Sequence, residues 1–239
     1  MLLELIGDTA KLALIVASLY LVLRAYVRYA QPGLLLPLAR RRLAILLVLV
    51  LAATAVKVSE DVLGGESGPI DRMILLFIHR HVDRSLNAFF EFVTLSGSSL
   101  VLFPLTAAAT VLLLLARRRF EALLVGASVT GGAAIVYGVK ALVGRTRPAM
   151  WNTETYWGSS FPSGHTLAVA AFATATVLCV ARIWPRAHTS VLAAALLWIL
   201  LVAFSRLVLG VHWPTDVLVA ACIGVFLPLA ISVAHDLRR

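Results

Sequence analysis

"FPSGHTLAV", residues 161–169, decides how this chain is read. A proline, a serine, a glycine and a histidine stand at the mouth of an apolar stretch that runs on to residue 182. A helix that crosses a bilayer needs about 20 mainly apolar residues. The stretch beginning at Gly164 is long enough, and its entrance is polar in a way that crossing a membrane does not require. Working outward from it, comparable apolar stretches lie at 9–27, 42–58, 99–116, 120–142, 164–182, 189–209 and 214–235. The pattern predicts an all-α fold, a polytopic membrane helix bundle. We read residues 1–239 as a single integral membrane domain. Residues 1–58 hold the N-terminal spans, 59–98 an external amphipathic segment, and 99–239 the helix bundle that carries the chemistry.

Composition agrees. The chain is 61% hydrophobic and 14% charged, too little polar surface for a water-soluble domain of 239 residues. The net charge of +9 does not indicate a nucleic-acid partner, because the positive residues recur at alternate ends of successive spans. They are Arg24, Arg28, Arg40, Arg41 and Arg42, then Arg117, Arg118 and Arg119, then Arg182 and Arg186, then Arg238 and Arg239. By the positive-inside rule these ends face the cytoplasm, with the N-terminus outside. The first span begins with acids and is followed by Arg24 and Arg28, the pattern of an uncleaved anchor rather than a signal peptide. Cys179 and Cys222 fall inside spans as packing residues. His79 and His81 flank Arg80 in the external segment, without partner ligands at metal spacing, and read as a polar helix face.

A second set of polar residues gathers at the opposite, external face. Lys140 closes the fourth span, and Arg145 and Arg147 follow it. Ser163, Gly164 and His165 open the fifth, Ser205 and Arg206 close the sixth, and His212 and Asp216 flank the start of the seventh. Each has an ordinary reading alone: a snorkelling lysine, a loop arginine, a helix N-cap, a structural hydrogen bond. Together they place cations, two histidines, an acid and a helix N-terminus on one side of a small bundle. Ionisable groups near a membrane are costly and are usually paired or functional.

Fixed cations beside a helix N-terminus suit a multiply charged oxyanion, which means phosphate. In "PSGH" the proline sets the turn, the glycine admits a close backbone approach, and the serine adds a hydroxyl. In "HWPTD", Pro214 is expected to start the last helix, with Asp216 in its first turn reaching back to His212. An aspartate on one ring nitrogen fixes the tautomer and stabilises an imidazolium, so His212 reads as the nucleophile. His165 sits beside the anion site without such an acid and suits a general acid for the leaving oxygen. The cations can neutralise charge on the phosphoryl group, so no catalytic metal and no cofactor are expected.

Three motifs then carry a resemblance. "KALVGRTRP" runs from Lys140 to Pro148, "PSGH" from Pro162 to His165, and "SRLVLGVHWPTD" from Ser205 to Asp216. In order and spacing they resemble the type 2 phosphatidic acid phosphatase superfamily. The resemblance covers residues 140–216 and implies a core of about six helices and metal-independent phosphoryl transfer through a phosphohistidine. It also implies that Lys140, Arg147, Ser163, Gly164 and Arg206 bind phosphate, that His165 is the acid, and that Asp216 orients His212. One feature departs from the usual membrane members. The first of seven spans is extra, and either adds to the bundle or lies on the membrane surface.

The expected activity is hydrolysis of a lipid phosphate or diphosphate in the bilayer, of the phosphatidic acid, phosphatidylglycerol phosphate or undecaprenyl diphosphate type. The site would lie at the external, periplasmic face of a bacterial inner membrane. A lipid phosphotransferase would use the same residues with a different acceptor. A non-enzymatic anion binder would not need His212 with its own aspartate, and no paired broken spans of the transporter kind are present. Halide oxidation belongs to soluble relatives. The sequence does not choose among the lipids or indicate an oligomeric state.

Overall fold

The computed structural model of the chain describes residues 2–148 and 158–238. Among these residues the secondary structure is helical, with no strand. The helices are α1 (Leu2–Ala30), α2 (Leu35–Arg40), α3 (Arg42–Leu63), α4 (Gly68–His81), α5 (Asn87–Leu95), α6 (Ser99–Leu115), α7 (Arg119–Val143), α8 (Gly164–Ile183), α9 (His188–Val208) and α10 (Pro214–Leu237). Seven helical stretches are long and apolar enough to cross a membrane, as the sequence predicts. The third is longer than expected. It runs over Arg84–Leu115, because α5 precedes α6 after a short turn at Ser96, Gly97 and Ser98.

The helix α8 is the hub. It packs against α7, α9 and α10, and Val169, Ala170, Ala171 and Ala175 along it are fully buried. Small side chains let helices approach closely where lipid supplies no hydrophobic drive for association. The clearest case is Gly224 of α10. A Cβ there would lie 2.6 Å from Ala170 Cβ and 2.6 Å from the Leu167 carbonyl oxygen. The outward faces keep large apolar side chains: Leu100 is 86% exposed, Leu142 87% and Leu115 76%. Such a surface is an aggregation hazard in water and an ordinary one against lipid tails.

The first helix joins this bundle. Tyr20, Leu23 and Val27 of α1 pack with Ile45 and Leu49 of α3 and with Val233 and Leu237 of α10. Its apolar part, Gly7–Ala30, spans 24 residues, about 36 Å at 1.5 Å per residue. The extra N-terminal span is thus packed on α3 and on the far end of α10.

The chain alternates direction through α7, α8, α9 and α10. The C-terminal ends of α7 and α9 therefore meet the N-terminal ends of α8 and α10. At the opposite end, Asp236 accepts from Arg41 at 2.8 Å and from Arg182. There the Arg182 guanidinium lies over the Phe120 ring at 4.7 Å, and it donates to Ser232 Oγ at 3.0 Å. The arginine-rich end and the end holding the three motifs are opposite poles of the bundle.

Candidate active site

All eight residues given a catalytic or phosphate-binding role from the sequence arrive at the motif pole. Lys140 lies in the last turn of α7, which Gly144 ends with a positive φ of 60°. That conformation suits glycine and turns the chain into the segment carrying Arg145 and Arg147. Ser163 is the N-cap of α8, Gly164 and His165 open that helix, Arg206 lies in the last turn of α9, and Asp216 lies in the first turn of α10. The Ser163 amide donates to the Asp216 carbonyl at 3.2 Å, stitching the start of α8 to the start of α10. His165 lies within electrostatic reach of Arg206, His212, Lys140 and Arg147.

Ser163 does not cap its helix through its side chain. Its hydroxyl pairs with the Thr166 hydroxyl at 3.0 Å, and no capping bond forms. The first N–H groups of α8 are therefore not satisfied by the serine, as an anion site at a helix start requires. Gly164 is equally informative. Among the described residues, a Cβ there would meet only Val136 Cγ1, at 3.6 Å, an ordinary contact. Packing among the described residues does not demand a glycine at this position.

His212 is 2% exposed and lies between an acid and a cation. Its Nδ1 is 3.5 Å from Asp216 Oδ2, the outer limit of a hydrogen bond, and its Nε2 is 3.5 Å from Arg147 Nη1. A donor beside Nε2 and a carboxylate beside Nδ1 favour the tautomer with its proton on Nδ1 and its lone pair on Nε2. Burial pushes the imidazole pKa down from 6.5 to about 4; Arg206 and Arg147 push the same way, and Asp216 opposes them. At neutral pH the ring is uncharged. Arg147 Nη1 also donates to the Val211 carbonyl at 2.8 Å, which anchors the guanidinium to the turn that carries His212. Arg206 is 2% exposed and donates to Thr94 Oγ1 of α5 at 2.7 Å.

A cavity of about 190 Å³ opens from this cluster, lined by Lys140, Gly164 and His165 and then by Val136, Val129 and Leu102. From Lys140 to Val129 it follows α7 for about 16 Å. One end is cationic and the rest is mainly apolar, with Ser99 and Tyr137 also on its wall.

The structure also brings in residues to which the sequence gave no role. Arg145 bridges two carboxylates: Nη1 donates to Asp216 Oδ1, and Nη2 donates to Asp71 Oδ2 at 2.6 Å. Asp71 is completely buried in the first turn of α4, within the segment read as external and amphipathic. The one signal in the sequence was an acid interrupting an otherwise apolar helix pattern. Thr94 gave no signal.

Residues 121–239, the C-terminal half of the chain, match the sequence model of the PAP2 superfamily. Phosphatidylglycerophosphatase B of Escherichia coli (strain K12) is 47% identical over 74 residues, 31% of this chain and 27% of that protein. The match thus spans about a quarter of that relative's length. Lipid A 1-phosphatase of Rhizobium johnstonii is 29% identical over 171 residues, 64% of this chain and 67% of that protein. Among solved structures, a transmembrane PAP2 type phosphatidylglycerolphosphate phosphatase from Bacillus subtilis shares the fold. Its TM-score is 0.67 at 23% identity, covering 79% of this chain and 94% of that one. With seven membrane-length helices, the three motifs gathered at one pole and the matching family model, the chain belongs to the PAP2 superfamily and is an integral membrane protein.

Proposed function

We propose that the chain is a single-domain membrane phosphatase that hydrolyses a lipid phosphate or diphosphate through a phosphohistidine on His212. The observation that carries this reading is the buried His212, neutral at pH 7, with Nε2 turned toward Arg147 and Nδ1 toward Asp216. An anion binder needs only the cations, whereas a nucleophile needs an unprotonated nitrogen aimed at the phosphorus and an acid behind it.

In the proposed first step the His212 Nε2 lone pair attacks phosphorus and the bond from phosphorus to the lipid oxygen breaks. His165 gives its proton to that oxygen, and Asp216 stabilises the positive charge on the phosphorylated ring. In the second step water attacks phosphorus, His165 takes a proton from it, and the bond to Nε2 breaks to release phosphate. Lys140, Arg147, Arg206, Ser163 and the Gly164 amide hold the phosphoryl oxygens. No metal or cofactor enters this scheme.

The cavity supports a lipid substrate. Its cationic end suits a phosphate, and its apolar length along α7 suits a hydrocarbon chain. Phosphatidic acid, phosphatidylglycerol phosphate and undecaprenyl diphosphate are the candidate classes, and the relatives named above act on different lipids. The arginine-rich pole supports a cytoplasmic orientation for that end. The site then faces the periplasmic side of a bacterial inner membrane.

The test is phosphate release by the detergent-purified protein from these three lipids and from a soluble phosphate ester, with EDTA present. His212→Ala is run beside the wild type. Release from one lipid, lost in the variant, supports the proposal. Activity that EDTA abolishes and a divalent ion restores argues for another mechanism. Phosphate trapped on His212 without net release points to a transferase.

A further inference from the structure

We infer that Arg145 is a positioning residue for the His212–Asp216 pair, and that Asp71 of α4 anchors it. The inference rests on the proposed role of His212. Asp216 is completely buried, and each of its carboxylate oxygens has an assigned partner. Oδ2 accepts from the Trp213 amide at 2.9 Å and faces His212 Nδ1 at 3.5 Å. Oδ1 is held by Arg145 Nη1. The guanidinium on one side and the Trp213 amide on the other hold the plane and position of the carboxylate that faces the imidazole.

Arg145 is held in turn. Its Nη2 donates to Asp71 Oδ2 at 2.6 Å and to Ser67 Oγ at 3.1 Å, and its Nη1 also donates to Thr215 Oγ1 at 2.9 Å. Its Cζ lies 5.6 Å from the centre of the Trp213 ring. Asp71 reaches the same turn directly, accepting from the Thr215 amide at 2.9 Å and the Thr215 hydroxyl at 2.7 Å. One fork thus joins α4 to the turn that carries both His212 and Asp216, across more than 70 residues of sequence.

Charge gives the arrangement its chemical meaning. Asp71, Arg145 and Asp216 together carry a net charge of −1. That charge is complemented when a positive ring forms at His212. The cation Arg147 lies on the Nε2 side of the imidazole, the side proposed to take phosphate. Asp71 satisfies one prong of the guanidinium, so Asp216 is steadied without being fully neutralised. A lysine has no fork and cannot hold both carboxylates in this geometry.

Among the described residues, the charged and titratable groups that face His212 are Asp216 from α10, Arg147 from the segment after α7, Arg206 from α9 and His165 from α8. Arg145 acts on the ring through Asp216. Replacing Arg145 by a neutral residue strengthens the negative field at Nδ1, favours the protonated ring, and moves the acid limb of the rate profile to higher pH.

The experiment compares wild type, Arg145→Gln, Arg145→Lys, Asp71→Asn and His212→Ala as full-length protein in detergent. It records kcat and KM against pH on the lipid turned over by the wild type, with thermal unfolding as the folding control. The expected result for Arg145→Gln is a kcat lower by about tenfold or more with KM changed by less than about twofold. Its acid limb should rise by about one pH unit. Arg145→Lys should lose kcat with little movement of the limb, because it keeps the charge and loses the fork. Asp71→Asn should lose kcat less than Arg145→Gln does.

A folded Arg145→Gln with wild-type kcat and limb overturns the inference. So does a loss carried by KM, which would make Arg145 a phosphate contact. If Arg145→Gln fails to fold, Arg145→Lys and Asp71→Asn decide, and wild-type kcat in both overturns it. Should His212→Ala keep its activity, the reading of His212 itself falls and this inference falls with it. A dead His212→Ala beside wild-type Arg145 variants overturns the positioning role alone.

Discussion

Arg147 Nη1 sits 3.5 Å from His212 Nε2 while it donates to the Val211 carbonyl at 2.8 Å, so one guanidinium is tied to the backbone of the turn it faces. That anchoring fixes a cation beside the nitrogen proposed to attack. Arg147→Lys removes the planar fork and the backbone anchor but keeps the charge. We expect kcat/KM to fall by about a hundredfold with the protein still folded. A value within about threefold of wild type would show that a point charge suffices.

The acid side of the pH profile belongs to His212. The ring must be neutral to attack, and its folded pKa of about 4 lies below the 6.5 of an ordinary histidine. The rate should therefore rise with pH through an acid limb set well below 6.5. Stability follows the same group. Between about 4 and 6.5 the unfolded chain binds the proton and the folded chain does not. Stability from His212 is therefore present above the ordinary value and lost as pH falls toward 4. Thermal unfolding midpoints across this range, compared with those of His212→Gln, measure the contribution. A variant with the same slope as wild type would assign it elsewhere.

Gly164→Ala separates packing from ligand. Among the described residues the added methyl has only an ordinary contact with Val136, so the unfolding midpoint should stay close to wild type. Activity should nevertheless fall by about tenfold or more, because the methyl stands where the phosphoryl group is proposed to approach the start of α8. Retained activity would remove Gly164 from the phosphate site.

Gly224→Val tests the opposite case. The helices α8 and α10 touch through backbone here, with Leu167 O 2.6 Å from an added Cβ and the Ala171 amide at 3.1 Å. Neither atom can move aside without shifting a helix. Destabilisation of about 1–3 kcal/mol or more is expected, read by unfolding in mixed micelles. Since α8 and α10 carry His165 and Asp216 at their starts, activity should fall together with the folded fraction.

Much of this protein is legible in its sequence. Membrane spans announce themselves because a bilayer demands length and apolarity in one continuous stretch, with backbone hydrogen bonds closed inside the segment. That requirement is local, so α7, α8, α9 and α10 were found to within a few residues. The polar candidates were equally visible. Lys140, Arg147, His165, Arg206, His212 and Asp216 stand out against apolar surroundings, and their spacing carried the family resemblance. Alternating spans then allowed motifs far apart in sequence to be assigned to one pole.

Other features depended on the assembled bundle. The ordinary reading of Ser163 is a side-chain N-cap; it does hold the N-cap position of α8, but its hydroxyl pairs with that of Thr166 rather than with a backbone N–H. Asp71 looked like one acid in an amphipathic segment until α4 packed against the turn at Thr215 and buried it beside Arg145. Thr94 reaches Arg206 only because α5 lies against α9. What the sequence by itself determined are features set within one helix: its length, its direction, and the chemical type of residue at its end. Only the tertiary structure decided how the Asp216 carboxylate is oriented toward His212, and which distant carboxylate holds the arginine behind it. Those depend on contacts between helices packed at distances of a few ångströms, where the partner's sequence position is free and only its place in space is constrained.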